Sequence, residues 1–288
     1  PLSKQIHSLL PEEDFVIHIT TGKNDARDFV QEYLTQHTKE SVRVYSCGGD
    51  GTLNEVLNGL VGFSNASLAC YPSGSGNDFV KNFPNMNDFL DLESLIKAET
   101  KEIDIIQFNG RYAINICNLG FDGEVGYNFM RFKKIPKIKG PTAYNLAVFW
   151  GLLSKMKHMV TVHVDGQLFH QGYILLSAIA NGRCYGGGYY CAPRANVTDG
   201  LLDVVVVKKV SRMKFIQLIK IYKRGEHLDN PKLAKYIRFT NARDVQIDSK
   251  KPISLSFDGE IVQTNEMNFK ILPKHISFVV PTQKNLTE

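Results

Sequence analysis

A chain of 288 residues that is 43% hydrophobic and 22% charged can build two domains with sizeable cores, and this composition excludes a disordered or fibrous protein. The formal charge of +5 suits an anionic substrate or an acidic membrane surface. It is too small and too dispersed for a nucleic-acid partner, and no interleaved aromatic and basic motif of the ribonucleoprotein type is present.

Residues 1 to 13 are polar and amphipathic, after which Phe15, Val16, Ile17 and Ile19 predict a strand ending at Thr20-Thr21-Gly22-Lys23. A helix is expected from about Asp25 to Gln36. Val42 and Val44 lead as a short β run into Ser46-Cys47-Gly48-Gly49-Asp50-Gly51-Thr52, and Leu53, Val56, Leu57 and Leu60 leave it at the spacing of one buried helix face. Strand, glycine turn and helix together let a backbone approach a ligand closely and deliver it to a helix N-terminus, which outlines a phosphate site. Asp50 in that setting would repel a phosphate unless a divalent cation stood between them, so magnesium is implied with a nucleotide. The same residues would also make a plain βα turn capped by Asp50.

Leu68-Ala69-Cys70-Tyr71 is the next strand, and it runs into Pro72-Ser73-Gly74-Ser75-Gly76-Asn77-Asp78-Phe79. Phe79 holds the place of the third glycine of a dinucleotide fingerprint, so that motif is excluded. A helix near 88 to 98 and a strand over Glu102 to Phe108 complete an alternating order that argues for a parallel sheet up to about residue 106. Beyond it the pattern is mainly antiparallel β: Val160 to Gln171 around an Asp165-Gly166 turn, Tyr173 to Ala180, Leu201 to Val207, Ile253 to Gln263 and Asn268 to Leu272. A basic amphipathic stretch from Met130 to Lys139 and helices near 142 to 157 and 211 to 224 interrupt it. Cys47, Cys70, Cys117, Cys184 and Cys191 lie in or beside apolar runs without a Cys-x-x-Cys pair, so buried free thiols in a reducing, cytoplasmic setting are expected. There is no signal-peptide pattern, and no apolar run reaches about 18 residues; membrane contact is therefore expected from outside the bilayer.

Five segments in this order resemble the soluble diacylglycerol kinase catalytic domain family, which includes bacterial lipid kinases and sphingosine kinases. They are the glycine stretch at 48 to 60, the Pro72 to Phe79 turn, Asn118-Leu119-Gly120-Phe121-Asp122, Asp199-Gly200-Leu201-Leu202 and Asp258-Gly259-Glu260. The resemblance covers nearly the whole chain. It implies an α/β plus β fold: a doubly wound nucleotide-binding domain resembling NAD kinase and phosphofructokinase over 1 to 106, completed by about 273 to 288, and an antiparallel β-sandwich for lipid over 107 to 272. Two departures stand out. The family usually begins with a strand and an Asn-Pro-x-Ser-Gly loop, whereas Pro1 stands where the following helix is expected. Ser75 and Lys81 replace the more usual Thr and Arg, which keeps a hydroxyl and a positive charge.

The activity implied is transfer of the γ-phosphate of ATP to a hydroxyl of diacylglycerol or a related glycerolipid, giving phosphatidic acid, with magnesium as cofactor. Thr20, Gly48, Gly49, Asp50, Gly51, Thr52, Leu53, Asn54, Glu55, Gly74, Ser75, Gly76 and Asp78 are the nucleotide contacts that follow from it. Asp50, Asp78 and Asp104 would hold the catalytic magnesium, largely through water, and Asn196, Asp199 and Leu201 match a second magnesium site. Each acidic position also has a plainer account. Asp78 could cap a turn, Asp104 could be a solvent charge on an edge strand, and Asp199 could sit in an Asp-Gly turn between strands.

A lipid hydroxyl needs a proton acceptor, and the family's base lies at the late Asp-Gly-Glu, so Asp258 and Glu260 are the catalytic candidates; a hairpin turn explains the same residues without chemistry. The copy at Asp122 and Glu124 is expected to support structure near the domain junction. Lys133, Lys134, Lys137 and Lys139, with Phe132, Ile135 and Ile138, could lie on an anionic leaflet or form a solvated loop. The protein is thus expected to be cytoplasmic and peripheral at the inner membrane face, without nucleic acid, and compatible with a homodimer. A soluble-metabolite kinase of the NAD kinase type shares the Gly-Gly-Asp-Gly turn but should lack the Pro72 to Phe79 turn and the late Asp-Gly-Glu. A nucleotide- or lipid-binding module without turnover is the reading from another class.

Overall fold

The computed structural model describes residues 2–132, 135, 140–153 and 156–281. The chain divides into two units, Pro1–Ile103 with Lys274–Glu288, and Asp104–Pro273. The sequence places these boundaries at 106 and 273.

The first unit is α/β. Helix α1 (Leu2–Leu9) is followed by α2 (Asp25–Gln36), which begins and ends where the sequence pattern puts it. Strand β1 (Val42–Gly48), helix α3 (Asp50–Leu60) and strand β2 (Ala66–Pro72) form a parallel βαβ crossover, with Val42 beside Ala66 and Gly48 beside Pro72. Leu53, Val56, Leu57 and Leu60 are buried, as their helical spacing requires. The expected helix at 88 to 98 is broken: Asp91 ends a 3₁₀ turn and caps α4 (Leu92–Lys97) by accepting the Ser94 amide. Arg43 of β1 donates to the carbonyls of Leu95 and Ile96 at the end of α4, satisfying groups a helix terminus leaves open.

Phe15 to Ile19 is not a strand. None of these residues pairs with a neighbouring strand, and Val16, Ile17 and Ile19 are exposed. An apolar run becomes a strand only where another strand supplies its hydrogen bonds.

Strand β3 (Glu99–Phe108) carries the chain into the second unit, where the strand pairings described between residues 106 and 270 are antiparallel. The elements are β4 (Arg111–Ala113), β5 (Ile116–Gly120), α5 (Phe121–Phe132), α6 (Gly140–Leu153), β6 (His158–Val164), β7 (Gln167–Ala180), β8 (Leu202–Lys208), α7 (Arg212–Lys223), β9 (Ile237–Ala242), β10 (Asp244–Phe257) and β11 (Glu260–Val280), whose last residues, from Lys274, belong to the first unit. A bulge between Asp248 and Ile253 lets β10 pair with β6 before it and with β5 after it, the device by which one strand serves two partners.

Strands β7 and β8 are buried on both faces. Ile174, Ile179, Val204 and Val206 enter a core shared with β10 and β11, while Leu176, Ala178, Val205 and Val207 meet the helices. The unbroken Val204–Val207 run follows from that double burial. Helix α5 escapes the sequence pattern because Gly123 and Gly126 lower its propensity. Gly123 is needed there: a Cβ on it would lie 1.9 Å from the Ser254 carbonyl oxygen of β10. Lys133, Lys134 and Pro136–Lys139, most of the basic stretch, lie outside the described residues. Among the described residues no helix is long and apolar enough to cross a membrane.

Candidate active site

In the first unit, β1 ends at Gly48 and α3 begins one residue after Gly49, so the glycine turn sits at a helix N-terminus. The second turn, 73 to 78, closes on it. A Cβ on Gly74 would fall 2.3 Å from the Gly49 Cα, so the two backbones touch where no other residue type fits. Asn77, at φ +49°, holds the second turn by accepting the Gly74 amide and donating to the Pro72 and Gly74 carbonyls.

Asp50 Oδ1 accepts the amides of Asp78 (2.8 Å) and Phe79 (3.3 Å), which ties the two turns together. Burial, and then the nearby Asp78 carboxylate, push the Asp50 carboxyl above its usual range. Lys81 answers that charge: its ammonium lies 2.6 Å from Asp78 Oδ1 and 2.8 Å from the Gly76 carbonyl. The first helical bond of α3 runs from the Leu53 amide to the Gly49 carbonyl. The amides of Asp50, Gly51 and Thr52 therefore have no acceptor within their own helix, and Gly51 borders open space. These donors fit a phosphate.

Other expected nucleotide contacts have different placements. Leu53 is 2% exposed, with its side chain in the core and its amide spent in the helix, so it is structural. Asn54 is buried and receives the Asn58 side chain. Glu55 accepts the Asn24 amide, fastening the start of α2. Ser75 is exposed in its turn, and Thr20 is exposed at the end of the unpaired segment. Its neighbour Thr21 donates through amide and hydroxyl to Asp25, and those bonds, with His18, lower the Asp25 carboxyl to about 2. Cys47 is the one exposed thiol of the five; the others are buried, and all are free.

In the second unit, Asp104 is no edge-strand solvent charge. It is fully buried, its Oδ2 accepts the Gly200 amide at 2.7 Å, and its own amide donates to the Val197 carbonyl. The 196 to 201 loop is folded around carboxylate and amide acceptors: Asn196 Oδ1 takes the Thr198 amide and hydroxyl, and Asp199 Oδ1 takes the Leu201 amide. Burial raises the Asp199 carboxyl, and Asp104 adds to the rise.

Asp203 joins this acidic group unforeseen. Its Oδ1 accepts from Asn241, its Oδ2 is buried with no hydrogen bond among the described residues, and burial with the Asp199 charge lifts it to about 6. An acid inside the Leu201–Val207 apolar run was the signal available in the sequence. No group of three His, Cys, Asp or Glu side chains among the described residues is gathered tightly enough to hold a metal. A magnesium ion would have to complete its shell from water and phosphate oxygens, as that ion commonly does.

The late Asp-Gly-Glu separates into two roles. Asp258 (φ +44°) and Gly259 (φ +91°) form the two-residue turn between β10 and β11, in the same conformation as Asp165 (φ +48°) and Gly166 (φ +78°). The Asp258 carboxylate is 8% exposed at the residue level and accepts the amides of Ile114 (2.6 Å), Asn115 (3.2 Å) and Ile116 (2.9 Å). So engaged, the carboxylate anchors backbone, a role the sequence expectation of a catalytic Asp258 does not include. Glu260 is ion-paired with Arg111, which in turn lies 5.2 Å from the Phe257 ring centre.

The earlier copy differs again. Glu124 accepts the Ser254 hydroxyl, a supporting contact, but Asp122 lines a cavity of about 40 Å³. Leu175, Leu176, Val207, Phe215, Leu218 and Ile219 form its apolar walls, and Tyr185, Tyr222 and His227 add polar atoms. Tyr185 donates to Asp122, whose carboxyl burial raises to about 6; burial lowers His227 to about 4.

The first unit thus carries a glycine-lined helix N-terminus whose free amides suit a phosphate, and the second an antiparallel β unit. Residues 2–108 match the model of the diacylglycerol kinase catalytic domain, and residues 116–280 match that of the YegS C-terminal NAD kinase beta sandwich-like domain. The chain is 32% identical over 270 residues to a diacylglycerol kinase of Bacillus subtilis, covering 93% of this chain and 86% of that protein. It is 31% identical over 243 residues to one of Staphylococcus carnosus, covering 84% and 77%. A crystal structure of a diacylglycerol kinase from Bacillus anthracis superposes with a TM-score of 0.69 over 96% of this chain and 91% of that one, at 23% identity, and so shares its fold. The chain belongs to the diacylglycerol kinase family and is a lipid kinase.

Proposed function

We propose that the protein transfers the γ-phosphate of ATP to a free hydroxyl of diacylglycerol or a closely related glycerolipid, giving phosphatidic acid. The observation that carries this reading is the contact of Gly49 with Gly74 at the N-terminus of α3, beside the amides of Asp50, Gly51 and Thr52, which have no acceptor within their own helix. Bound ATP would supply the phosphoryl group, and magnesium would offset its charge beside Asp50 and Asp78. The amides and Lys81 orient and neutralise, which is most of what phosphoryl transfer asks of a protein. Glu260 remains the candidate to accept the acceptor's proton, with Arg111 fixing its orientation. The names of the curated relatives support a glycerolipid over a soluble metabolite.

The test is γ-labelled ATP offered with diacylglycerol, monoacylglycerol, sphingosine and NAD, the lipids in mixed micelles. Label should enter the diacylglycerol fraction and be lost with Asp50→Asn. Label in NAD, or in sphingosine alone, would replace this reading.

A further inference from the structure

Helix α6, Gly140–Leu153, contains no Asp, Glu, Lys, Arg or His. A helix apolar all round is ordinarily enclosed by protein or lipid. One side of α6 is enclosed: Ala147 is fully buried, and a Cβ on Gly151 would lie 3.1 Å from the Phe121 ring of α5. On the other side Phe149, Trp150 and Leu153 are 57%, 51% and 60% exposed.

The guanidinium of Arg212 donates to the carbonyls of Leu152 (2.6 Å) and Leu153 (3.2 Å), holding the start of α7 against the end of α6. There Phe215 packs inward on Phe121, while Met213 and Ile216 are 69% and 54% exposed. Five large apolar side chains are thus exposed on two helices joined at Arg212, and exposed apolar side chains in number mark an interaction site.

Among the described residues, the exposed charges on α5, α6 and α7 themselves have one sign, and Glu226, just beyond α7, is paired with Arg224. Arg131 on α5 and Arg212, Lys220 and Lys223 on α7 are exposed, whereas the carboxylates of these helices, Asp122 and Glu124, are engaged by Tyr185 and Ser254. Aromatic and aliphatic side chains amid Lys and Arg suit the interface of an anionic bilayer. A second copy of the same face would set cation against cation. We propose that the outer side of α6 and α7 docks the protein on anionic lipid, inserting Phe149, Trp150, Leu153, Met213 and Ile216. The proposal rests on the proposed function only in that a glycerolipid acceptor has to be taken from a membrane.

Trp150 is the only tryptophan of the chain, so its emission reports on this face alone. The protein, without ATP or acceptor lipid, is titrated with phosphatidylcholine vesicles of graded phosphatidylglycerol content, some carrying brominated acyl chains. Emission should shift to the blue and be quenched by the brominated chains, increasingly with phosphatidylglycerol. Leu153→Gln, Met213→Gln and Ile216→Gln together should weaken binding at least about a hundredfold at unchanged thermal stability, since full burial of each such side chain is worth about a factor of ten or more. Lys220→Gln with Lys223→Gln should flatten the dependence on phosphatidylglycerol. Sedimentation with vesicles while Trp150 emission stays put would overturn the proposal, as would undiminished binding by the triple variant. An emission shift driven by protein concentration alone would assign the face to a second copy. Docking by a protein that phosphorylates no lipid would sink the proposed function and leave this inference standing.

Discussion

A Cβ on Gly74 would lie 2.3 Å from the Cα of Gly49, so the turns after β1 and β2 meet through two backbones with nothing between them. Gly74→Ala should therefore push the turns apart. We expect ATP affinity to fall by at least about tenfold and stability by about 1–3 kcal/mol, the range for overpacking a close contact. Gly51→Ala, whose Cβ meets nothing within 4 Å, should keep its stability. Equilibrium denaturation with nucleotide titration of both variants checks the contrast; equal losses would show that the contact is unimportant.

Asp50→Asn keeps an oxygen for the Asp78 and Phe79 amides and removes the charge. Turnover should drop by about a hundredfold or more, the usual scale for loss of a key electrostatic group. The melting temperature should hold, since burial and Asp78 both disfavour the ionised Asp50. Steady-state kinetics beside a thermal melt decide it, and turnover above about a tenth of the parent would remove Asp50 from the chemistry.

Asp258 and Glu260 should part company. Asp258→Ala strands three buried amides, so a stability loss of roughly 3 kcal/mol or more is expected. Glu260→Gln breaks an ion pair with a partly exposed Arg111, which is worth at most about 1 kcal/mol. Its effect should fall on kcat with the KM for ATP unchanged. Denaturant midpoints and kcat measured on both variants test this, and a stable Asp258→Ala would contradict the anchoring role.

The carboxyl of Asp122 stands at about 6 in the folded chain against an ordinary value of 3.8. The folded state then holds the extra proton between these values, so this group's stabilisation is complete below about pH 4 and is lost as pH rises through 6. The loss is on the order of 3 kcal/mol. Asp122→Asn should remove it, so parent and variant should diverge progressively from pH 4 to 7, the parent falling relative to the variant. Urea denaturation across that range reads the difference, and parallel curves would place Asp122 in a more solvated setting than the cavity provides.

The sequence by itself determined what is local. Helix α2 matches its pattern from Asp25 to Gln36, and the 48 to 60 stretch is strand, glycine turn and helix, because spacing of apolar residues and glycine φ freedom act within a few residues. The Asp165-Gly166 hairpin is legible for the same reason. What the tertiary structure decided depends on a distant partner. Phe15 to Ile19 reads as a strand yet pairs with none, since its hydrogen bonds must come from another segment. Gly123 looks like a helix breaker until Ser254 of β10 is found pressed against it. Asp165 and Asp258 share one turn geometry, and Asp122 and Asp258 share one tetrapeptide. Only the amides of Ile114 to Ile116 and the apolar walls of the cavity distinguish them, because a carboxylate's role is set by what lies around it in space, which neighbours along the chain do not encode.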